Sequence, residues 1–273
     1  MTDLAQDIRE LLRAHQIALN TNLGQHFLLS ADVLDAIVNA AAIAPTDHVL
    51  EIGTGVGALT RELVQRAGTV TAIELDRRWL PLLREFIGAD TLPAGKFTLI
   101  EGNALDIRFP DEPYKIVANI PYHITSPLLR HAFLESPRAP QSLTLLIQFE
   151  VAEKIADDHD RGILTIVVGL FGKATLIRKV PPSAFLPPPK VDSAVLHIAC
   201  YPEPLANPAD IERVMKLLKI GFGQKRKMLS NTLGKLPDGM QLLEKNGIDP
   251  TRRPQTLSVE EWLTLARTLP TEL

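Results

Sequence analysis

The four residues Asn119 to Tyr122, NIPY, carry groups suited to one difficult task, the alkylation of an exocyclic amine on a nucleobase. The amino group of adenine is a poor nucleophile because its lone pair is delocalised into the ring. The side-chain oxygen of Asn119 and the backbone carbonyl of Ile120 can accept its two hydrogens and draw the nitrogen toward a tetrahedral shape. Pro121 would fix that carbonyl, and Tyr122 offers a π-face for a base taken out of its stack. No separate general base is needed, since the ammonium product sheds its proton readily. In isolation NIPY is more simply read as a strand end turning through Asn and Pro.

A second motif, EIGTGVG, places Gly53, Gly55 and Gly57 directly after a β-rich run and before a helical one. The dinucleotide fingerprint is G-x-G-x-x-G, which delivers a pyrophosphate to a helix N-terminus. The spacing here is G-x-G-x-G and gives no positive reason to expect a diphosphate. Glu74 follows Gly53 by 21 residues, where a carboxylate can accept both hydroxyls of a ribose. A ribose without a pyrophosphate suggests S-adenosylmethionine. A turn that merely needs glycine remains the competing explanation.

These motifs need elements to hold them at one edge. From residue 47 onward, short β-rich runs alternate with helical ones: HVLEIG, Leu59 to Ala67, TVTAIELD, Leu80 to Ile87, FTLIEGN, YKIVANI and SLTLLIQF, with LLRHAFL and VAEKIAD as helices. Strand then helix, repeated, predicts a parallel sheet with crossover helices, whose carboxyl edge binds ligands. ILTIVVGLF and AVLHIAC are expected as two late strands joined through PPSAFLPPPKV. Two further helices are expected before residue 45, around Leu4 to Leu12 and Val33 to Ala41, with LGQHFL between them as a loop. YPEPLANP breaks the pattern and marks a boundary, giving one domain over 1–200 and a small helical one over 201–273. The latter is expected to hold helices at Ile211 to Ile220, Lys225 to Leu233, Met240 to Asn246, and Val259 to Leu269, the last capped by Ser258 with Glu261.

In chain order, LGQHFL, EIGTGVG, IELD, NIPY, FLPPPKVDSAV and GFGQKRKMLSNTL resemble the ribosomal RNA adenine dimethyltransferase family over nearly the whole chain. The C-terminal motifs GFGQKRKMLSNTL and GIDPTRRPQTLSVEEW are most similar to the branch that dimethylates two adjacent adenines in the 3'-terminal hairpin loop of small-subunit rRNA. NIPY occurs in both that branch and the large-subunit enzymes of macrolide resistance. The resemblance implies a Rossmann-like α/β methyltransferase fold, its parallel sheet ending in an antiparallel strand, with a small C-terminal helical domain. It implies that Gln25, His26 and Leu28 close over the methionine end of S-adenosylmethionine. Gly53 and Gly55 would lie under the cofactor, Glu74 and Leu75 along its nucleoside, and Asn103 and Ala104 at its adenine. Asn119 would serve both cofactor and acceptor, with Ile120, Pro121 and Tyr122 completing the acceptor clamp and Phe185 stacking on the other face of the target base; for Phe185 plain core is the competing reading, as for most Phe residues. Asn103 departs from the family, which carries an aspartate there; its oxygen can still accept a hydrogen bond but bears no charge. A second departure is IALNTN ahead of LGQHFL, where relatives carry basic residues.

The 273-residue chain is 45% hydrophobic with a net charge of −3, so it is not basic overall. Its basic residues are concentrated locally: residues 211–235 hold seven Lys or Arg against one acid, Glu212. Lys225, Arg226 and Lys227 of that stretch, with Lys190, are the expected RNA contacts; a solvated helix face is the alternative. The partner expected is small-subunit rRNA or an assembling small subunit, met by a monomer. The longest largely apolar run, ILTIVVGLF, is too short to span a bilayer, and the N-terminal MTDLAQDIRE lacks the pattern of a secretory signal. One cysteine, Cys200, excludes a disulfide framework and accords with a cytoplasmic location. The seven histidines show no ligand spacing, so no metal site is expected. The alternatives are a large-subunit adenine methylase, a protein-glutamine or DNA-adenine methyltransferase, and a non-catalytic RNA-binding or transcription factor on the same fold.

Overall fold

The computed structural model describes residues 4–15, 25–224 and 226–269. By contacts the chain forms two compact units, one of Met1–Glu153 with Ala174–Cys200 and one of Lys154–Lys173 with Tyr201–Leu273. The second of these units takes in Lys154–Lys173 as well as the residues from Tyr201 onward.

The first unit is built on a seven-stranded sheet. Its strands are β2 (His48–Ile52), β3 (Thr69–Glu74), β4 (Phe97–Glu101), β5 (Lys115–Asn119), β6 (Ser142–Gln148), β7 (Gly172–Val180) and β9 (Ser193–Cys200), in the order β4-β3-β2-β5-β6-β9-β7. The pairs β2 with β3, β3 with β4, β2 with β5 and β5 with β6 are parallel, and β9 runs antiparallel to β6. Central parallel strands are covered on both faces and so read as continuous apolar runs, as in the wholly buried Val49–Ile52 segment of β2. Helices α1 (Leu4–Ala14), α2 (Ala31–Ala41), α3 (Ala58–Arg66), α4 (Trp79–Phe86) and α5 (Thr125–Arg130) accompany this sheet, and α6 (Phe149–Ala156) follows β6. Strand order reverses around β2, with β3 on one side and β5 on the other. Such a reversal opens a crevice at the carboxyl ends of the strands.

LGQHFL was expected as a loop with no element of its own. Instead its Phe27–Leu28 forms β1, a two-residue strand antiparallel to β8 (Phe185–Leu186), with Phe27 opposite Leu186 and Leu28 opposite Phe185. Leu29 N–H adds a bond to the Ala184 carbonyl at 2.8 Å. Two segments far apart in sequence are thus tied together, a pairing that local periodicity does not encode.

The late elements differ from the sequence expectation in one further respect. ILTIVVGLF is not a strand but helix α7 (Ile163–Phe171), and the strand is the following GKATLIRKV, β7. A nine-residue apolar run fits a buried strand or a buried helix equally. The Thr165 hydroxyl marks the helix start, accepting from Gly162 N–H at 3.0 Å and donating to the Lys154 carbonyl at 2.7 Å. Strand β7 carries charged residues because it lies at the sheet edge, with most positions between its ends exposed or half-buried.

In the second unit, α10 (Val259–Thr268) packs against α7, α8 (Pro208–Phe222) and α9 (Gly239–Lys245), and α7 against α8. Close approach is made at small residues: a Cβ on Gly169 would come within 2.6 Å of Val259, and one on Gly221 within 2.8 Å of the Trp262 ring. Helix α10 is capped as expected, the Ser258 hydroxyl accepting from Glu261 N–H and the Glu261 carboxylate accepting from Ser258 N–H at 2.7 Å. The predicted helix Lys225 to Leu233 is absent as such. Position 225 lies outside the described residues; Arg226 and Lys227 occupy an exposed turn, followed by two short 3-10 turns at Leu229–Asn231 and Leu233–Lys235.

Candidate active site

Four strand ends in the first unit converge on one cavity. Its walls include the turn after β2 (Gly53, Thr54, Gly55), the end of β3 with its loop (Glu74, Leu75, Asp76), the loop after β4 (Asn103, Ala104), and Asn119 to Tyr122 after β5. Gln25, His26 and Leu28 close another side. Every residue expected at the cofactor lines this cavity. So do Asn119, Ile120, Pro121 and Tyr122 of the acceptor motif.

The glycine turn is required by the backbone. Gly55 has φ +52°, a left-handed conformation, and a Cβ there would stand 2.7 Å from the Phe27 ring. The turn aims its amides at Glu74. Gly55 N–H donates to Glu74 Oε2 at 2.9 Å, the Thr54 hydroxyl to the same oxygen at 3.3 Å, and Asp76 N–H to Oε1 at 2.9 Å. Oε1 keeps an open acceptor position, suited to a ribose hydroxyl. Next to it Leu75 is 60% exposed, an apolar surface beside that carboxylate. Asn103 Nδ2 donates to Asp106 Oδ2 at 2.9 Å, and its Oδ1 accepts from Leu105 N–H at 3.2 Å. Asp106, an acceptor only, therefore fixes which end of the Asn103 amide is which, and Oδ1 retains a second lone pair.

The acceptor motif is tethered in the same way. Asn119 Nδ2 donates to the His26 carbonyl at 3.1 Å, which leaves Oδ1 as its open group. The Pro121 carbonyl accepts from Ile124 N–H at 3.1 Å, and the Tyr122 carbonyl from the Thr125 hydroxyl at 2.9 Å, closing the turn behind the motif. The Tyr122 hydroxyl lies 2.6 Å from Oγ of Ser193, a fully buried residue at the start of β9. Burial holds the Tyr122 phenol above its ordinary pKa, so it stays protonated near neutrality. The His26 ring lies beside that of Tyr122, centroids 5.9 Å apart and planes 21° from parallel, with Nδ1 held 2.7 Å from the Pro187 carbonyl.

Phe185, expected on the second face of the target base, is core instead. It is 3% exposed, packs in the cluster that includes Phe27, Leu28 and Val180, and does not line the cavity. The β1–β8 register turns it inward, where burial of an aromatic ring is favourable. Of the expected RNA contacts, Lys190 is exposed in the first unit, and Arg226 and Lys227 are exposed in the second, without a salt bridge among the described residues. Lys225 lies outside the described residues. No group able to hold a metal ion occurs among them.

Several site residues carried no sequence-level role. Ser193 anchors Tyr122. Asp76 accepts from Gln25 Nε2 at 2.9 Å, and its bond to the Arg78 guanidinium holds its pKa down to about 2. Glu51, inside the apolar run of β2, lines the cavity at 1% exposure; a charged residue in a strand buried on both faces is the signal that could have found it. These groups also test the cofactor. Among the described residues, the buried wall atoms without a hydrogen bond are three acceptor oxygens, Gln25 Oε1 and both of Glu51, against one donor, Trp79 Nε1. Among the described residues no lysine or arginine lines the cavity, whereas Glu51, Glu74 and Asp76 do. Such a wall suits a ligand bearing positive charge and N–H donors, as S-adenosylmethionine does, and opposes a diphosphate.

Comparison with known proteins agrees. The family described as ribosomal RNA adenine dimethylase matches residues 16–270. A ribosomal RNA small subunit methyltransferase A from Dehalococcoides mccartyi (strain CBDB1) is 41% identical over 266 residues, covering 95% of this chain and 91% of that protein. One from Pelotomaculum thermopropionicum (strain DSM 13744 / JCM 10971 / SI) is 36% identical over 282 residues, covering 95% and 94%. Among solved structures, a dimethyladenosine transferase from Plasmodium falciparum aligns with a TM-score of 0.75 at 29% identity, covering 88% of this chain and 96% of that one. The 23S rRNA methyltransferase ErmE aligns at 0.72 and 29%, covering 88% and 98%. With a family match over almost its full length and this set of tethered groups at its strand ends, the chain belongs to the ribosomal RNA adenine dimethylase family.

Proposed function

We propose that this protein transfers methyl groups to the exocyclic amine of adenine in small-subunit rRNA, completing N(6),N(6)-dimethyladenosine at two adjacent adenines of the 3'-terminal hairpin loop. The observation that carries the chemistry is the Asn119 amide, its nitrogen spent on the His26 carbonyl and its oxygen left open beside Tyr122. The choice of substrate is supported by the curated relatives, small subunit methyltransferases 36 to 41% identical over 95% of this chain.

When bound, S-adenosylmethionine supplies an electrophilic methyl on a sulfonium. The protein's part is to ready the amine. Asn119 Oδ1 and the Ile120 carbonyl accept its two hydrogens, concentrating the lone pair on nitrogen. The Tyr122 ring, fixed by Ser193, receives a face of the extruded base. Tyr122 remains a neutral phenol and takes no proton; the product proton leaves to solvent. Glu74, fixed by the Gly55 amide, would hold the cofactor's ribose, and Leu75, Asn103 and Ala104 would hold its adenine, Asn103 as a hydrogen-bond acceptor.

The first unit is assigned the chemistry and the C-terminal helical unit the docking of RNA, through Lys225, Arg226 and Lys227, with Lys190 contributing from the first unit. The protein works in the cytoplasm as a monomer on an assembling subunit; Cys200 is free, and burial pushes its thiol up to about 12, in keeping with a cysteine that neither pairs nor reacts.

Incubation with labelled cofactor should place label on adenine in undermodified small subunits, read by mass spectrometry of the RNA. Label in large-subunit RNA alone would assign the chain to the other branch, and no transfer despite cofactor binding would leave an RNA-binding factor.

Tyr122→Ala should lower turnover about 5- to 150-fold, the equivalent of about 1–3 kcal/mol of base stacking, and leave cofactor affinity nearly unchanged by calorimetry. Glu74→Ala should weaken cofactor binding first. A Tyr122→Ala protein that is folded yet fails to bind cofactor would refute the assignment of the ring to the base.

Replacing Lys225, Arg226 and Lys227 together with alanine should flatten the slope of log RNA affinity against log salt by about 1 to 3 units. Cofactor affinity should not move. An unchanged slope in a folded variant would make the turn a solvated surface without a partner.

A further inference from the structure

Beside the satisfied carboxylate of Glu74, the cavity holds one that is not satisfied. Glu51 lies in β2 between Leu50 and Ile52, both at most 2% exposed, and is itself 1% exposed. Neither Oε1 nor Oε2 has a hydrogen-bond partner. The Thr60 hydroxyl faces it from α3 but closes no hydrogen bond of standard geometry. Glu74 repels it from β3, and the remaining titratable groups on the wall, among the described residues, are His26, Asp76, Tyr122 and His123. No lysine or arginine is among them. An ionised carboxylate in such a place is costly unless a cation joins it or a proton neutralises it. Burial, reinforced by Glu74, pushes the Glu51 carboxyl up to about 8.

S-adenosylmethionine carries, at neutral pH, a sulfonium, an ammonium and a carboxylate, a net charge of about +1; methyl transfer removes the sulfonium charge and leaves S-adenosylhomocysteine near zero. We propose that Glu51 reads this difference: it holds a proton when the cavity is empty or contains the neutral product, and releases it to solvent when the cationic cofactor enters, so that cofactor is favoured over product. The inference rests on the S-adenosylmethionine reading given above. The proton balance closes over a cycle. Glu51 gives up its proton on cofactor binding and regains one from solvent once the methyl has gone, separately from the proton lost by the methylated amine. Product is then no longer held by the charge that formed when the cofactor bound.

The sign follows from linkage. With the empty-site carboxyl raised and the cofactor lowering it, cofactor affinity rises with pH up to about 8 and levels above it, whereas product affinity lacks this dependence. The ratio of the two affinities therefore climbs with pH, at most tenfold per pH unit.

Calorimetric titration at pH 7 in two buffers of different ionisation enthalpy counts the protons. Wild-type protein should release up to one proton more with S-adenosylmethionine than with S-adenosylhomocysteine. In Glu51→Gln, a neutral isostere of the protonated acid, that difference should vanish and the affinity ratio become flat between pH 6.5 and 8. The variant also subtracts protons contributed by the ligands, His26 and His123. Equal proton release with both ligands in wild type would overturn the proposal without recourse to any variant, as would an undiminished difference in Glu51→Gln. Both ligands binding without proton linkage would leave the cofactor assignment standing, whereas failure of either to bind wild type would remove both.

Discussion

An amide can present its oxygen to a substrate reliably only if its nitrogen is already engaged, and Asn119 satisfies this condition through the His26 carbonyl. Much of the acceptor site follows from that one bond. It requires His26 to be held, which the Nδ1 contact to Pro187 and the β1–β8 pairing accomplish. It requires Asn119 to end a strand at the sheet's carboxyl edge, which the parallel pairing of β5 with β2 and β6 provides. Tyr122 is oriented by the same logic, its hydroxyl tied to Ser193 so that the ring has a fixed place. The Pro-rich segment between β7 and β9 thus supports the chemistry by holding, while its own Phe185 is buried.

Electrostatics separate this cavity from other nucleotide sites on related sheets. A dinucleotide site offers a helix N-terminus and amides to a pyrophosphate. Here the amide of Gly55 is consumed by Glu74, and the wall is acidic and free of lysine and arginine among the described residues. Attraction for a cationic cofactor and repulsion of a diphosphate come from the same residues. Loss of one positive charge on methyl transfer changes what those residues prefer, which gives the cavity a physical means to release what it has used.

The parallel core was legible in the sequence because buried strands and short crossovers leave unmistakable apolar blocks: the β-rich runs of HVLEI, TVTAIE, FTLIE, KIVAN and SLTLLIQ all became strands. The motifs fell on their ends, so the glycine turn, Glu74 and NIPY were placed by spacing, whereas Gln25, His26, Leu28, Asn103 and Ala104 came from the family resemblance. What was not legible depended on distant partners. ILTIVVGLF is apolar throughout and its helical state is decided by packing, as at Gly169 against Val259. GKATLIRKV carries charges within a strand because it lies at the sheet edge. The β1–β8 ribbon pairs residues some 160 positions apart, and it is what separates the two readings of Phe185, ring on the target base or core. Glu51 was visible as a charge in an apolar run, but its lack of any partner is a property of the folded cavity.

The claim most open to direct test is that Asn119 Oδ1 activates the amine. Single-turnover methyl transfer by Asn119→Ala, at saturating cofactor and small-subunit RNA, measures that step without contributions from binding. The account predicts a rate lower by about a hundredfold or more, the scale seen when one preorganised hydrogen-bonding group is removed from a reacting centre. A rate within about threefold of wild type would contradict it.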